Sequence, residues 1–294
     1  MLFSLLFACT SPETPGPVAS PPDQGKPTVV VSAHSSAYLV QRLAQDSVEL
    51  VNLLPDGADP LSFAPSGDQV ALAQAADLVL LNGAGLEGWV QTASLPQDKV
   101  VDTALGIELI EVKGPVHSHG KDGDHSHGDV DPHTWSDPLA YLSQAQATHA
   151  ALKKLPGLKA PDLDAALSGL EADLLELHRQ YKVALAPWLG TPLAASHPAY
   201  NYLARQYGLD LHSFDFDPQQ TPTDLHDFEH WTKGQSAPVL WWESPPSELT
   251  QAAFPAATVH LILSPLEQPE GGRYDYFAQA QANLAVLGAA RPSE

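Results

Sequence analysis

The sequence predicts an α/β protein in two halves, each with a parallel sheet, joined by one long helix. Three observations predict it. Short β-branched runs alternate with polar turns and helical stretches, the order of strand–helix–strand units. The alternation stops after about residue 155 and restarts near residue 191. Between the two, Leu163, Leu167, Leu170, Leu174, Leu177, Tyr181 and Leu185 recur at steps of four and three, which fits one amphipathic helix stopped near Pro187. That stripe is the signature of core packing.

In the first half, residues 27–32 hold Val29, Val30 and Val31, a run suited to a parallel strand buried on both faces. His34-Ser-Ser precedes a helix over 38–44. A strand follows at 48–54, a turn at 55–60, a helix at 68–76 and a third strand at 77–82 ending in Gly83-Ala-Gly85. Residues 100–101 and 107–112 are weaker strand candidates, and 137–154 reads as a helix broken by Pro156-Gly157. In the second half, strands are predicted at 191–197, 211–216, 238–243 and 258–264, with helices at 199–208, 224–234, 248–253 and 274–287. Ligands gather at the carboxyl ends of strands in open α/β sheets. His34, Asp59, Leu61 and Asn82 are placed near that edge in the first half, and His197 and Glu243 end strands in the second. No repeat with a period of 20 to 50 residues is present, which sets solenoids aside.

At 294 residues with 44% apolar side chains, the chain can supply two cores. Fourteen basic against 35 acidic residues give a formal charge of −21, which repels nucleic acid phosphates and leaves no basic stripe to bind them. A cation is the better electrostatic match. The one cysteine, Cys9, excludes an internal disulfide. It follows a short apolar run, and Leu6-Phe7-Ala8-Cys9 resembles a bacterial lipoprotein cleavage box, so lipid on Cys9 is expected to anchor the protein. The segment lacks a basic start and is short for a signal, as expected if the true start lies upstream or if Cys9 is a buried thiol in a short apolar tail. Thr10 to Pro27 is rich in Pro, Ser, Thr and Gly, a tether that holds a domain off a membrane.

Residues 117–135 pack five of thirteen histidines and four aspartates into nineteen positions. The run has no apolar period, and its Gly, Asp and Ser favour solvated backbone. Short histidine-rich tracts bind zinc and related metals through neutral imidazole.

Several segments in order resemble one known family: Leu54-Pro-Asp-Gly-Ala-Asp-Pro60, Ala76-Asp-Leu-Val-Leu-Leu-Asn-Gly-Ala-Gly-Leu-Glu-Gly-Trp89, the histidine run, Asp131-Pro-His-Thr-Trp-Ser-Asp-Pro138, and Ser196-His-Pro-Ala-Tyr-Asn-Tyr-Leu-Ala-Arg-Gln-Tyr-Gly-Leu209. Each is weak alone; the order and spacing are specific. The chain resembles, over roughly residues 27–288, the metal-binding receptors of bacterial ABC importers for zinc and manganese, in particular the zinc type with a histidine-rich loop. The resemblance implies two α/β lobes joined by a rigid backbone helix, with the metal in the cleft between them. It divides the chain into a signal remnant and tether at 1–26, a first lobe at 27–160 with a histidine loop at 114–130, a linking helix at 161–188 and a second lobe at 189–294.

Carried over by resemblance, His133 and His197 are metal ligands. Two family positions are not conserved in type: Leu61 stands where a histidine is expected, and Ser264-Pro265-Leu266 replaces a late Asp-Pro-Leu. Placement supplies two replacements. Glu243 ends a strand beside the cleft, and His34 follows the first strand on the opposite lobe. A set of His34, His133, His197 and Glu243 would be tetrahedral and closed, which suits carriage rather than catalysis. Asp59 and Asp137 read as turn or cap residues, and Asp131 as a partner that orients a ligand histidine. Trp231, Trp241 and Trp242 read as packing that can also shield the cleft.

The reading that results is a non-enzymatic, monomeric receptor in the periplasm or on the outer face of the cytoplasmic membrane. It catches Zn(II) with His117, His119, His125 and His127, seats it in the cleft and delivers it to an ABC permease. Imidazole-rich ligation places Mn(II) behind zinc; Cu(II) and Ni(II) also bind imidazole. Affinity is expected to fall as pH drops below about 6.5. The alternatives are a zinc hydrolase, for which no His-Glu-x-x-His or Gly-x-Ser-x-Gly pattern is present, and a metal-dependent adhesin or storage lipoprotein without a permease.

Overall fold

A computed structural model describes residues 25–112, 117–118, 124–125 and 130–290. Cys9, the tether before residue 25, His119 and His127 lie outside the described residues, as do the side chains of His117 and His125. The elements in order are β1 (Thr28–Val31), α1 (His34–Ala44), β2 (Glu49–Asn52), α2 (Gly67–Ala75), β3 (Leu78–Leu81), β4 (Val100–Asp102), the two-residue strands β5 (His117–Ser118) and β6 (Asp124–His125), α3 (Pro138–Leu152) and α4 (Ala160–Leu185). There follow β7 (Pro192–Ala195), α5 (Asn201–Tyr207), β8 (Asp210–Ser213), α6 (His226–Trp231), β9 (Val239–Trp242), α7 (Glu248–Ala253), β10 (Val259–Ile262) and α8 (Tyr276–Ala289).

Two four-stranded sheets form, in the orders β2-β1-β3-β4 and β10-β9-β7-β8. Every pairing in both is parallel. This is the predicted two-lobed α/β architecture with its connecting helix. Residues 107–112 do not form the expected strand. They lie past β4, the edge of the sheet, and make one bridge, Glu111 with Val130. Helix α1 starts at His34, four residues earlier than predicted, which places that histidine on the helix itself.

The periodic helix does more than connect. Leu163, Leu170, Leu174, Leu177, Tyr181 and Leu185 are buried on α4. They belong to one continuous hydrophobic core that also takes in Val29, Leu39 and Leu80 of the first lobe and Leu193, Trp241 and Leu287 of the second. Burying each such leucine stabilises the fold by roughly 1.5–3 kcal/mol, so the lobes are bound to each other through this helix. Smaller clusters cover the outer faces: Val30, Leu53 and Val79 with α2, and Phe228, Trp242 and Phe254. Trp241 and Trp242 therefore pack opposite faces of β9, consistent with period-two alternation.

The carboxyl end of β3 is held by a buried carboxylate. Glu87 accepts the backbone N–H groups of Asn82 at 2.7 Å and Gly83 at 3.0 Å and the Ser32 hydroxyl at 3.2 Å. Burial outweighs these bonds and pushes Glu87 up to about 7. Gly83 has φ +81°, and a Cβ there would lie 1.8 Å from the Asp102 carboxylate. The position accepts no side chain. Gly83→Ala should cost roughly 2–4 kcal/mol of folding free energy, read as a lowered denaturant midpoint with unchanged slope.

Candidate metal centre

The walls of the cleft are the carboxyl ends of the strands. His133 sits between the first sheet and α3, in the loop 131–133. Asn82, just past β3, donates its amide to the Pro132 carbonyl at 3.0 Å and so fixes this loop from the first lobe. Asp131 fixes it from the other side. Its carbonyl accepts the Tyr202 hydroxyl at 2.8 Å and its Oδ2 accepts the Asn201 amide at 3.0 Å, both from α5. Asp137 caps α3, accepting the Leu139 N–H at 2.9 Å, as its place before Pro138 predicts. His197 stands two residues past the end of β7.

Three side chains converge. His133 Nε2 stands 3.4 Å from His197 Nε2 and 3.1 Å from Glu267 Oε1. One ligand atom from each of His133, His197 and Glu267 falls within 4.8 Å of the others. The two imidazoles are 0% and 4% exposed and the Glu267 side chain 11%, so the cluster is nearly out of water. Its donors are two nitrogens and an oxygen, the types that zinc takes.

The second nitrogen of His133 is occupied. Nδ1 donates to Asp131 Oδ1 at 2.6 Å, and the same oxygen accepts the His133 backbone N–H at 2.9 Å. This is the carboxylate–histidine arrangement that presents Nε2 to a metal. Asp131 thereby fixes the orientation of the His133 ring. Burial works against a charged ring, yet Asp131 and then Glu267 overcome it and raise His133 to about 10. The two carboxylates thus favour a positive charge at the place a cation would take.

Around the cluster lies a cavity of about 630 Å³ lined by Asp59, Asp217, Glu243 and Glu267 among others. Glu243 is at the cleft, as placement predicted, but outside the three-residue cluster. Burial, then the charge of Glu267, lifts it to about 7, while His133 pulls it down. Asp59 forms the expected turn, accepting the Leu61 N–H at 2.9 Å, and also faces the cavity. Leu61 packs against the main core.

His34 is elsewhere. Its Nδ1 lies 3.2 Å from the Asn52 amide, its ring stacks on Tyr274 with centroids 5.7 Å apart, and Nε2 is 3.8 Å from Asp56. It lines a different cavity with Tyr38 and Arg42. As the first residue of α1 it turns toward β2, so the structure does not bring it to the cluster.

Glu267 was missed by sequence reasoning, which stopped at Ser264 as the position of the lost anion. The chain turns here: Leu266 has φ +59°, its N–H bonds the Ser264 hydroxyl at 3.2 Å, and the next residue is the carboxylate. A glutamate three residues beyond the serine was the available signal, but nothing in the sequence marks a leucine that adopts the left-handed region.

The family described as the periplasmic component A of the zinc-uptake complex, ZnuA, matches residues 29–290. The chain belongs to this family. A ZnuA zinc-uptake protein of Yersinia pestis is 27% identical over 228 residues, covering 70% of this chain and 71% of its own. The fold of the Zn(II)-bound ZnuA-like domain of Streptococcus pneumoniae AdcA superposes with a TM-score of 0.76 at 21% identity, covering 90% and 98% of the two chains. The Mn2+ complex of FpvC from Pseudomonas aeruginosa gives 0.69 at 18% identity, covering 90% and 96%.

Two outcomes follow. Asp131→Asn should weaken metal binding about 10–100-fold while the protein stays folded, measured by competition with a coloured chelator. Metal must also displace the His133 proton. Calorimetry in buffers of different ionisation enthalpy should therefore show about one proton released near pH 8, and more near pH 6 if Glu243 joins the site. The sign for stability is the reverse. His133, raised from 6.5 to about 10, and Glu243, raised from 4.5 to about 7, stabilise the metal-free fold below their ordinary values, and that stability is lost as pH rises through the shifted ones.

Proposed function

We propose that this chain is an extracytoplasmic receptor that binds a divalent metal, zinc before others, and delivers it to an ABC permease for import. The observation that carries this reading is the convergence of His133, His197 and Glu267 in a nearly dry cleft between two lobes. Membership of a zinc-uptake family supports it. So does the chemistry. Two imidazoles and a carboxylate fill three positions of a tetrahedron, and Glu243 or Asp59 stands ready for the fourth. A site filled by protein donors retains an ion and offers no open position for an activated water, which favours carriage over hydrolysis.

The carboxylates tune the preference. With Glu267 in place of a third histidine, the site is richer in oxygen than the His34-containing set, and Mn(II) becomes a stronger competitor. Zn(II) retains the advantage of two soft-borderline nitrogen donors, shared by Ni(II) and Cu(II). His117, His119, His125 and His127 serve as a capture loop before the cleft, and lipid on Cys9 tethers a monomeric receptor at the outer face of the membrane.

Binding measured by equilibrium dialysis with elemental analysis tests this reading. The protein with residues 117–127 removed should retain one tightly held zinc. His133→Ala, His197→Ala and Glu267→Gln in that background should each weaken it about 100-fold or more, while Glu270→Gln, on the exposed rim, should leave it within about twofold. Equal affinity in Glu267→Gln and the parent would remove Glu267 from the site.

A further inference from the structure

Residues 264–275 run from the end of β10 to the start of α8 and grip both lobes. On their own side, Ser264 donates its N–H to the Asn283 side chain at 2.7 Å and accepts back from it at 2.8 Å. The Ser264 hydroxyl donates to Gln279 at 3.0 Å. Toward the first lobe, the Pro265 carbonyl accepts the Trp135 indole N–H at 3.0 Å and the Tyr274 ring lies on His34. Glu267 lies between these anchors.

Its neighbour makes the closest bridge. Gln268 uses both ends of its amide on one turn of the first lobe: Oε1 accepts the Gly57 N–H at 3.0 Å, and Nε2 donates to the Ala58 carbonyl at 2.6 Å. Its own carbonyl accepts the Gln279 amide at 2.8 Å, so the bridge is braced on α8. The turn it holds leads directly to Asp59, which faces the same cavity as Glu267. On the other side of Glu267, Leu266 is kept in the left-handed region with its carbonyl bonded by the Tyr274 hydroxyl at 2.8 Å. The backbone that carries the carboxylate is therefore fixed on both sides, and on one of them by the opposite lobe.

We propose that Gln268 is a positioning residue for the cation: it latches the 57–58 turn onto the segment bearing Glu267, so that Glu267 meets His133 and His197 and Asp59 closes over the ion. This rests on the cleft being the metal site. Because α4 joins the lobes in one core, the freedom left at the cleft belongs to its loops, and this latch joins two of them. Only an amide of this length satisfies both partners. Glutamate lacks the donor that Ala58 requires and adds a charge, and asparagine is one methylene short. Release of the ion needs the loops to part, so loss of the latch acts on the off-rate rather than on capture.

The test uses the full chain loaded with Zn(II) alone, with release to excess chelator followed by stopped flow. Gln268→Ala should fold and keep the parent's zinc stoichiometry and association rate, while release of the tightly held zinc accelerates about tenfold. Gln268→Asn, which alters the fold least, should show the same direction and replaces the alanine variant should that not fold. Release within about twofold of the parent in either variant overturns the latch. The underlying reading fails differently: the parent would hold no zinc, or Glu267→Gln would release it at the parent's rate.

Discussion

Asp131 stands where the two lobes and the metal site meet, and its contacts make the rest of the cleft possible. A carboxylate that is 1% exposed and an imidazole that is 0% exposed can be buried together only because each completes the other. One oxygen takes both N–H groups of His133, the other takes Asn201, and the carbonyl takes Tyr202. The ring that faces the cleft is thereby fixed in orientation and in tautomer. The same residue ties the 131–133 loop to α5 across the lobe boundary. Removing the charge would loosen the ligand ring, while the Tyr202 bond to the Asp131 backbone carbonyl keeps the loop on α5.

Charge in the cleft follows from the same pairing. Five carboxylates, Asp59, Asp217, Glu243, Glu267 and Glu270, face one cavity; negative charge there favours a proton on His133, and burial together with that charge lifts Glu243 to about 7. A divalent ion replaces the proton and relieves the repulsion among the carboxylates. Binding affinity should therefore keep rising with pH past the ordinary imidazole value of about 6.5, where the sequence alone placed its limit. The shared core along α4 adds a mechanical constraint. With Leu174, Leu177 and Tyr181 in a core shared by both lobes, ion entry and exit fall to loops rather than to wholesale separation of the lobes.

Much of this was legible in the residues. The seven-residue apolar stripe marked α4, strand alternation marked both sheets, and His133 and His197 were identified from their motifs and are brought within 3.4 Å. Strand-end placement put Glu243 at the right cavity. The same rule failed for His34, because a residue at the end of a strand can start the next helix and turn to its neighbour strand instead of the cleft. Glu267 was illegible for another reason. Its position depends on a positive φ at a leucine, an unfavourable conformation sustained by Ser264 and Tyr274. Those two are themselves held by Asn283 and Gln279 of α8 and by His34 of the first lobe. Local sequence carries no sign of a strain that distant residues hold in place.

Anomalous diffraction from a crystal of the zinc-loaded protein tests the central claim most directly, since it reports the element and its ligands together. The account predicts one zinc peak in the cleft, bound by Nε2 of His133, by His197 and by Glu267 at about 2.0–2.2 Å, with a carboxylate of Glu243 or Asp59 in the fourth position. A zinc bound without His133, His197 and Glu267, or seated in the cavity beside His34, would contradict it.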